Sequence, residues 1–156
     1  MNMAAEARPV SHKTLFTFCA SCFEKLGLSR ADAQVTADNL IFANLRGVDS
    51  HGIIRLKVYA DRLRDGGNNP KARPSIVRDG GPTALIDAEN GIGQVAATQA
   101  MRLAIDKARR FGIGVIGVKN SNHFGAAAYY AMMALEHDMI GFATTNASRA
   151  VGFSKM

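Results

Sequence analysis

The stretch "RDGGNNP", residues 64–70, limits what this chain can fold into more than any other segment does. Gly66, Gly67 and Pro70 are poorly tolerated inside a helix, so a helix that reaches this stretch is expected to end there. Before it, apolar residues recur with helical spacing, and after it short apolar runs alternate with longer helical patterns. The sequence therefore predicts a helical domain over residues 1–72 and an α/β domain over residues 73–156.

The first domain begins with two helices whose ends carry typical capping residues. Ser11 and Ser29 are favourable N-cap residues, and Gly27 and Gly47 suit the positions just after a helix. The second of these helices has an apolar face that is expected to pack in the core. The residues of that face are Ala33, Val35, Leu40, Ile41 and Ala43.

The second domain is predicted to alternate strands and helices. Residues 74–91, "PSIVRDGGPTALIDAENG", form a hairpin around a Gly-Gly-Pro turn. An amphipathic helix follows over residues 93–112, and "GVIGVKNS" (114–121) reads as a short buried strand. The remaining segments predict a helix of small residues and methionines over 125–138 and a further strand in "MIGFATTNA" (139–147).

The composition is typical of a globular protein. Hydrophobic residues make up 47% and charged residues 21% of the chain. The formal net charge is +6, but no run of Lys or Arg exceeds two residues and no aromatic residues are interleaved with them. This pattern argues against nucleic-acid binding. No apolar segment suits a signal peptide or a membrane span, so we expect a cytoplasmic protein with no membrane partner.

The two cysteines, Cys19 and Cys22, have the spacing of a redox pair or of half a zinc site. Both lie in an apolar stretch with helical periodicity, and no second Cys or His pair follows at zinc-site spacing. We therefore interpret them as small buried residues and expect no metal site.

The segment "DSHGIIRL" suggests acid–base chemistry. In a third helix that begins at Asp49 or Ser50, His51 and Arg55 are four positions apart and share one face. An imidazole exchanges protons near neutral pH, and a guanidinium binds a carboxylate, so the pair suits a 2-oxo acid. Ser50 is placed to orient the imidazole. Ordinary surface residues, with Arg55 paired to Asp49 or Asp61, explain the same spacing, and spacing alone favours this alternative.

A second histidine occurs in "VKNSNHFGAAAYY". His123 lies between a predicted strand and a helix of very small residues, whose free N–H groups are expected to be open to an anion such as a phosphate. A capped turn, in which Asn120, Ser121 and Asn122 bond the backbone, is the alternative. It explains the polar residues but not a histidine followed by Phe-Gly and three alanines.

The "GIGQ" sequence after the hairpin is not a dinucleotide-binding loop. The three-glycine spacing of such a loop is absent, and a hairpin rather than a parallel βα turn is expected before it. A nicotinamide cofactor is therefore not expected to bind here in the Rossmann manner.

The segments "LRGVDSHGIIRL" and "VKNSNHFGAAAYYAMMALEHDMIGFATTNAS" resemble signatures of the type 2 malate/L-lactate dehydrogenase family. That family includes ureidoglycolate and sulfolactate dehydrogenases, a diketogulonate reductase and a piperideine-2-carboxylate reductase. The resemblance extends over residues 14–148. It implies a non-Rossmann, mixed-sheet fold, NAD or NADP as cofactor, a homodimer, and hydride transfer at the carbon next to the carboxylate of a small 2-hydroxy or 2-oxo acid.

The resemblance also implies a role for each residue of the two motifs. His51 would exchange the proton of the substrate oxygen, supported by Ser50, and Arg55 would bind the substrate carboxylate. Thr145 would contact the substrate, and His123 would lie close to the reacting centre. The implied cofactor-binding residues are His123, Phe124, Gly125, Ala126, Ala127, Asn146 and Ser148.

The chain departs from the family pattern after "TNAS", where "RAVGFSKM" stands in place of an expected proline and glycine-rich loop. The resemblance implies that much of the cofactor site, and the acidic partner of the Ser–His pair, belong to a portion that would follow. We therefore hypothesise a truncated product that exposes apolar surface beside the strand over 139–145. Two functions stay open: an NAD(P)-dependent dehydrogenase, or a non-catalytic remnant or interaction protein derived from one.

Overall fold

The computed structural model describes residues 9–146. That part of the chain contains five α-helices and a three-stranded sheet, which confirms the predicted mixture of helices and strands. The helices are α1 (His12–Lys25), α2 (Arg30–Leu45), α3 (Leu56–Arg64), α4 (Gly93–Phe111) and α5 (Ala127–Met133). The strands are β1 (Ser75–Gly80), β2 (Thr83–Asp87) and β3 (Val115–Lys119).

The first two helices begin at the predicted N-cap residues. The Ser11 hydroxyl accepts a hydrogen bond from the N–H of Thr14 at 3.1 Å. The Ser29 hydroxyl accepts from the N–H of Asp32 at 3.2 Å and donates to the Asp32 carboxylate at 2.6 Å. These two bonds stabilise the N-terminus of α2. Of the predicted core face of α2, four residues are buried and Val35 is half-buried.

The third helix begins later than predicted. Asp49–His51 and Ile53–Arg55 form two 3-10 turns, and α3 starts only at Leu56. Between the turns Gly52 has extended backbone, with φ −86° and ψ −151°, which an α-helix cannot contain. The Asn44 side chain accepts from the N–H of Ile53 at 2.7 Å and takes the place of a helical carbonyl. The predicted α-helical face shared by His51 and Arg55 is therefore wrong.

The sheet has the strand order β1-β2-β3. The predicted hairpin is present as the antiparallel pair β1–β2, with a register shift between Ile76 and Arg78. Strand β3 pairs with β2 in parallel, so the sheet is mixed. Helix α4 connects these two parallel strands, and the turn between β2 and α4 is thus a parallel βα turn. The expectation that only a hairpin precedes "GIGQ" was wrong, although the three-glycine spacing remains absent.

Three further predictions about the second half need correction. Strand β3 is not buried, because its residues alternate between exposed and half-buried and β2 covers only one of its edges. Helix α5 is shorter than predicted: it begins at Ala127, because Gly125 has a left-handed φ of +77°, and gives way to a 3-10 turn at Ala134–His137. Residues 139–146 form no strand, and they pair with none of the described strands.

The core combines residues from both halves of the chain. Phe23, Leu40 and Tyr59 from the first three helices pack in one buried cluster with Ile92, which precedes α4. The division into domains at residue 72 therefore stays a prediction, since one cluster contains residues from both sides of it. No helix in the described part of the chain is long and apolar enough to cross a membrane.

The cysteines are free thiols on α1. Cys19 is fully buried in the core, as predicted, whereas Cys22 is only partly covered. Burial raises the pKa of the Cys19 thiol from 9.0 to about 11, and the neighbouring Cys22 adds to the rise. Cys19 is thus a packing residue that stays protonated at neutral pH.

Candidate active site

The structure brings together the two histidines that the sequence singled out. The imidazole rings of His51 and His123 are stacked, with centroids 5.4 Å apart and planes inclined by 26°. His51 lies in the first 3-10 turn before α3, and His123 lies in the loop between β3 and α5. The two motifs therefore form one site, although the chain separates them by the whole sheet.

Ser50 and Arg55 join this site through hydrogen bonds rather than through helical spacing. The Ser50 hydroxyl lies 2.9 Å from His51 Nδ1, and Arg55 Nε donates to the Ser50 carbonyl at 2.7 Å. Asp49 instead accepts from Asn44. Arg55 forms no ion pair with any residue in the described range 9–146, so the predicted pairing with an aspartate is not found. Its guanidinium is held beside His51, and its terminal nitrogens remain available for an anion.

Two hydrogen-bonding groups hold His123 at its Nδ1. The Tyr59 hydroxyl lies 2.7 Å away, and the N–H of Gly125 donates at 3.3 Å. Partial burial lowers the pKa of His123 below 6.5, and the positive charges of Arg55, His51 and Arg62 lower it further. The imidazole is therefore expected to be neutral at physiological pH.

Arg62 and Asn122 fix the loop that presents His123, and the sequence did not identify Arg62. Arg62 Nη2 donates to Asn122 Oδ1 at 2.6 Å, and its Nε donates to Asn68 Oδ1 at 2.6 Å. The Asn122 amide donates to the carbonyl of Gly91 at 2.9 Å. These bonds connect α3 and the segment that follows it, which contains Asn68, to the loop before α5. The capped-turn alternative is thus correct only in that Asn122 bonds backbone carbonyls, because these belong to distant residues such as Gly91 and not to its own turn. Asn120 bonds the Asp87 carboxylate instead of the backbone.

The backbone next to His123 is already bonded inside the protein. Gly125 and Ala126 are buried; the N–H of Gly125 binds His123, and that of Ala126 donates to Asn39 Oδ1 at 3.4 Å. The predicted open helix start is therefore wrong at these two positions, because internal acceptors use both N–H groups. Asn39 also donates to the hydroxyl of Tyr130 at 3.2 Å, which fixes α2 against α5.

Phe124 packs inward as well. Its ring stacks on Tyr130, with centroids 5.1 Å apart, and its carbonyl accepts from the Tyr130 hydroxyl. Ala127 is half-buried at the first position of α5. Among the residues from 123 to 126, His123 thus has the most exposed side chain.

A buried glutamine lies behind the two histidines. Gln94 on α4 is fully buried, and neither atom of its amide meets a partner with hydrogen-bond geometry in the described part of the chain. It lies close to the Tyr59 phenol and beside the backbone of Gly125. The Gln94 amide thus belongs to the polar groups around His123, next to Tyr59 and Gly125.

The segment after α5 is not joined to the histidines by any hydrogen bond between described residues. Thr145 and Asn146 are exposed, and the Thr145 hydroxyl donates only to the carbonyl of Asn146, at 3.3 Å. Ile140 and Phe142 are 100% and 80% exposed, which places a strongly apolar stretch on the surface. Ser148 lies outside the described residues.

The groups gathered at the site suit an anionic ligand with an exchangeable proton. Arg55 and Arg62 supply positive charge, and no carboxylate of the described residues binds either imidazole or Arg55. No cluster of three or more metal-ligating side chains occurs in residues 9–146. A cavity of about 300 Å³ lies elsewhere, between α1 and α2 beside Phe16 and Phe42. That cavity contains neither His51, His123 nor Arg55 among its lining residues.

Comparison with known proteins decides the family. The family model described as malate/L-lactate dehydrogenase matches residues 10–154. The chain belongs to this family. The resemblance that the two motifs suggested is thereby confirmed.

Individual relatives agree with this assignment. The chain is 52% identical over 132 residues to a malate dehydrogenase of Pyrococcus abyssi, which covers 85% of this chain and 36% of the relative. It is 34% identical to a ureidoglycolate dehydrogenase (NAD(+)) of Escherichia coli O157:H7, covering 85% and 38%. The structure of the malate dehydrogenase from Pyrococcus horikoshii OT3 superposes with a TM-score of 0.81 at 46% identity, covering 83% and 37%. The chain thus spans little more than a third of the relatives' length.

Proposed function

We propose that this chain carries the acid–base and carboxylate-binding side of an oxidoreductase site. The reaction is the transfer of a hydride between a nicotinamide cofactor, NAD or NADP, and the carbon next to the carboxylate of a small 2-hydroxy or 2-oxo acid. The stacked pair of His51 and His123, with Arg55 held beside it, is the observation that carries the proposal. The names of the relatives, malate and ureidoglycolate dehydrogenases, support the class of substrate.

On the substrate side, Arg55 binds the carboxylate and His51 exchanges the proton of the neighbouring oxygen. Arg55 suits this task because its Nε is anchored on the Ser50 carbonyl while its terminal nitrogens have no carboxylate partner among residues 9–146. His51 is oriented by the Ser50 hydroxyl at 2.9 Å, and an imidazole takes up and releases protons near neutral pH.

On the cofactor side, the nicotinamide would supply or accept the hydride. The residues present fit such a group: an exposed neutral imidazole lies beside positive charge, with the small residues Gly125 to Ala127 behind it. His123 would contact the cofactor directly, with Phe124 and Ala127 at the margin, while Gly125 and Ala126 allow close packing from behind. Thr145, Asn146 and Ser148 complete the proposed set. Association into a homodimer in the cytoplasm belongs to the same proposal.

Titration of NADH and NADPH into the purified chain tests the proposal through the nicotinamide fluorescence. We expect saturable binding that His123→Ala abolishes. His12→Ala is the matched control, since His12 is an exposed histidine at the start of α1 and should leave binding unchanged. With an excess of the nucleotide, a 2-oxo acid such as oxaloacetate should change the fluorescence of the wild type and not that of Arg55→Ala.

Two results would count against the proposal. A wild-type chain that unfolds cooperatively yet binds neither nucleotide would favour the alternative of a non-catalytic interaction protein. Equal loss of binding in His123→Ala and His12→Ala would show that the response does not come from the histidine pair.

A further inference from the structure

The hydrogen bonds at His123 determine which of its ring nitrogens carries the proton. A backbone N–H can only donate, so the bond from Gly125 at 3.3 Å makes Nδ1 an acceptor. The Tyr59 hydroxyl, 2.7 Å from the same nitrogen, must then also donate. In the neutral imidazole the proton is left on Nε2, and that nitrogen becomes a donor.

The Tyr59 phenol is held firmly in this role. Tyr59 is only 3% exposed and belongs to the core cluster with Phe23 and Leu40, so its ring has little freedom to turn away. Burial raises the pKa of the phenol, which keeps the proton that the bond to His123 requires. Tyr59 lies on α3 and His123 lies after β3, so this one bond spans the two halves of the chain.

The charged groups around His123 also favour the neutral ring. Arg55 and Arg62 on the side of α3, and the second imidazole of His51, all oppose a positive charge on it. No described carboxylate accepts a hydrogen bond from the ring, and the bonded neighbours of Nδ1 are a phenol and a backbone N–H. The two histidines therefore differ in their partners: His51 faces a serine hydroxyl that can donate or accept, and His123 faces two donors.

We propose that Tyr59 is a positioning residue that, together with the N–H of Gly125, fixes His123 as the neutral Nε2–H tautomer. His123 then donates a hydrogen bond to an oxygen of the bound ligand, a carbonyl or carboxylate, and leaves proton transfer to His51. Only this consequence for the ligand rests on the proposed function. The tautomer itself is a property of the free chain.

Nitrogen-15 NMR of the labelled full chain tests the proposal without any ligand. Long-range proton–nitrogen spectra at about pH 8 report the protonation of each imidazole nitrogen, and His123→Ala identifies the His123 signals. In the wild type we expect Nδ1 of His123 in the range of an unprotonated nitrogen and Nε2 in the range of a protonated one. In Tyr59→Phe only the longer bond from the N–H of Gly125, at 3.3 Å, remains at Nδ1. The shifts of both nitrogens should therefore move part of the way toward tautomer-averaged values.

Tyr129→Phe is the matched control, because its hydroxyl donates to Asp38 at 2.7 Å and not to a histidine. It should leave the His123 signals unchanged. A wild-type His123 with the proton on Nδ1 would overturn the proposal. So would a folded Tyr59→Phe chain, recognised by dispersed amide signals, whose His123 shifts equal those of the wild type. Failure of NADH to bind would contradict the proposed function but would leave this tautomer result intact.

Discussion

The glycine at position 52 determines the backbone conformation of the segment that contains His51 and Arg55. A Cβ built on Gly52 would lie 2.3 Å from Asn44 Oδ1, so only glycine lets the Asn44 side chain reach over the backbone. Asn44 in turn accepts from Ile53 and donates to Asp49 at 2.6 Å. These bonds accompany two 3-10 turns in place of the first turn of an α-helix. In this conformation Arg55 Nε donates to the Ser50 carbonyl.

Gly125 has a similar importance for the loop of His123, and this leads to a prediction for stability. A Cβ on Gly125 would lie 1.9 Å from Asn39 Oδ1, in addition to the strain of a φ of +77°. We expect Gly125→Ala to lower the free energy of unfolding by about 3–4 kcal/mol, from about 1–2 kcal/mol of backbone strain and the displacement of a buried, bonded asparagine. Urea unfolding followed by circular dichroism measures this cost.

Gly47→Ala is the matched control for this substitution. Gly47 has nearly the same φ, +70°, but no atom lies within 4 Å of a Cβ placed there. We expect only the backbone strain of about 1–2 kcal/mol. Equal costs at the two positions would show that Asn39 does not hold the His123 loop through close contact with Gly125.

At the scale of elements, the ends of the two parallel strands are tied together by one carboxylate. Asp87 at the end of β2 forms an ion pair with Lys119 of β3 at 2.9 Å and accepts from Asn120 at 2.9 Å. It also accepts from the N–H of Glu89 at 2.9 Å. Lys119, Glu89 and Asn120 together lower the pKa of Asp87 from 3.8 to about 2. The loops that follow β2 and β3, including the one with His123, start from this fixed point.

The low pKa of Asp87 predicts acid sensitivity of the strand ends. Because the folded state holds the proton less tightly than the unfolded state, the stabilising effect is complete above about pH 4 and is lost as the pH falls toward 2. We expect Asp87→Asn to be less stable than the wild type at pH 7, and the difference to vanish near pH 2. Thermal unfolding as a function of pH measures it.

Asp106→Asn is the comparison for this prediction, because Asp106 lies exposed on α4 and pairs only with Arg109 of the same helix. We expect it to retain nearly the wild-type stability and pH profile. If the wild type and Asp87→Asn differ in melting temperature by the same amount at pH 2 and at pH 7, the Asp87 charge does not have this role.

For the whole molecule, folding raises the pKa of several thiol and phenol groups that are buried or partly buried. Burial raises the pKa of Cys19 to about 11 and raises those of Tyr129 and Tyr130 as well. The unfolded chain releases such protons at lower pH than the folded chain does. Stability is therefore complete below about pH 9 and falls as the pH rises through 9 to 11.

Cys19→Ala should reduce this alkaline loss. Between pH 8 and pH 11 the free energy of unfolding of the wild type should fall by on the order of 2 kcal/mol more than that of Cys19→Ala, because only the wild type has the buried thiol. Cys22→Ala, on the same helix but only partly covered, serves as the control. It should follow the wild type closely, because burial and not Cys22 is the larger cause of the raised Cys19 pKa. The urea midpoint of unfolding, measured across this pH range, reports the loss of stability. The same dependence of the midpoint on pH in all three proteins would refute the assignment to Cys19.

The site depends on residues whose roles no local sequence pattern predicts. Tyr59 was recognisable only as an apolar position of α3, although it binds His123, and Asn39 was hidden inside a helix that otherwise reads as core. Neither role has a local signal, because each partner lies far away in the chain. The expected strand over 139–147 failed for a related reason: its apolar residues fit a strand, but a strand forms only beside a partner.

The sequence by itself determined the ends of α1 and α2, the hairpin, and the two motifs that identify the family. Serine caps and glycine turns depend on residues three or four positions apart, so a linear pattern contains them. Only the tertiary structure decided that His51 stacks on His123, that β2 and β3 run parallel, and that the N–H groups before α5 are already bonded. Tyr59 and His123 are 64 positions apart, and Asn39 and Ala126 are 87 apart. Contacts over such distances form only when the core has packed the helices against the sheet, which is why the chemistry of the site could not be settled from the order of residues.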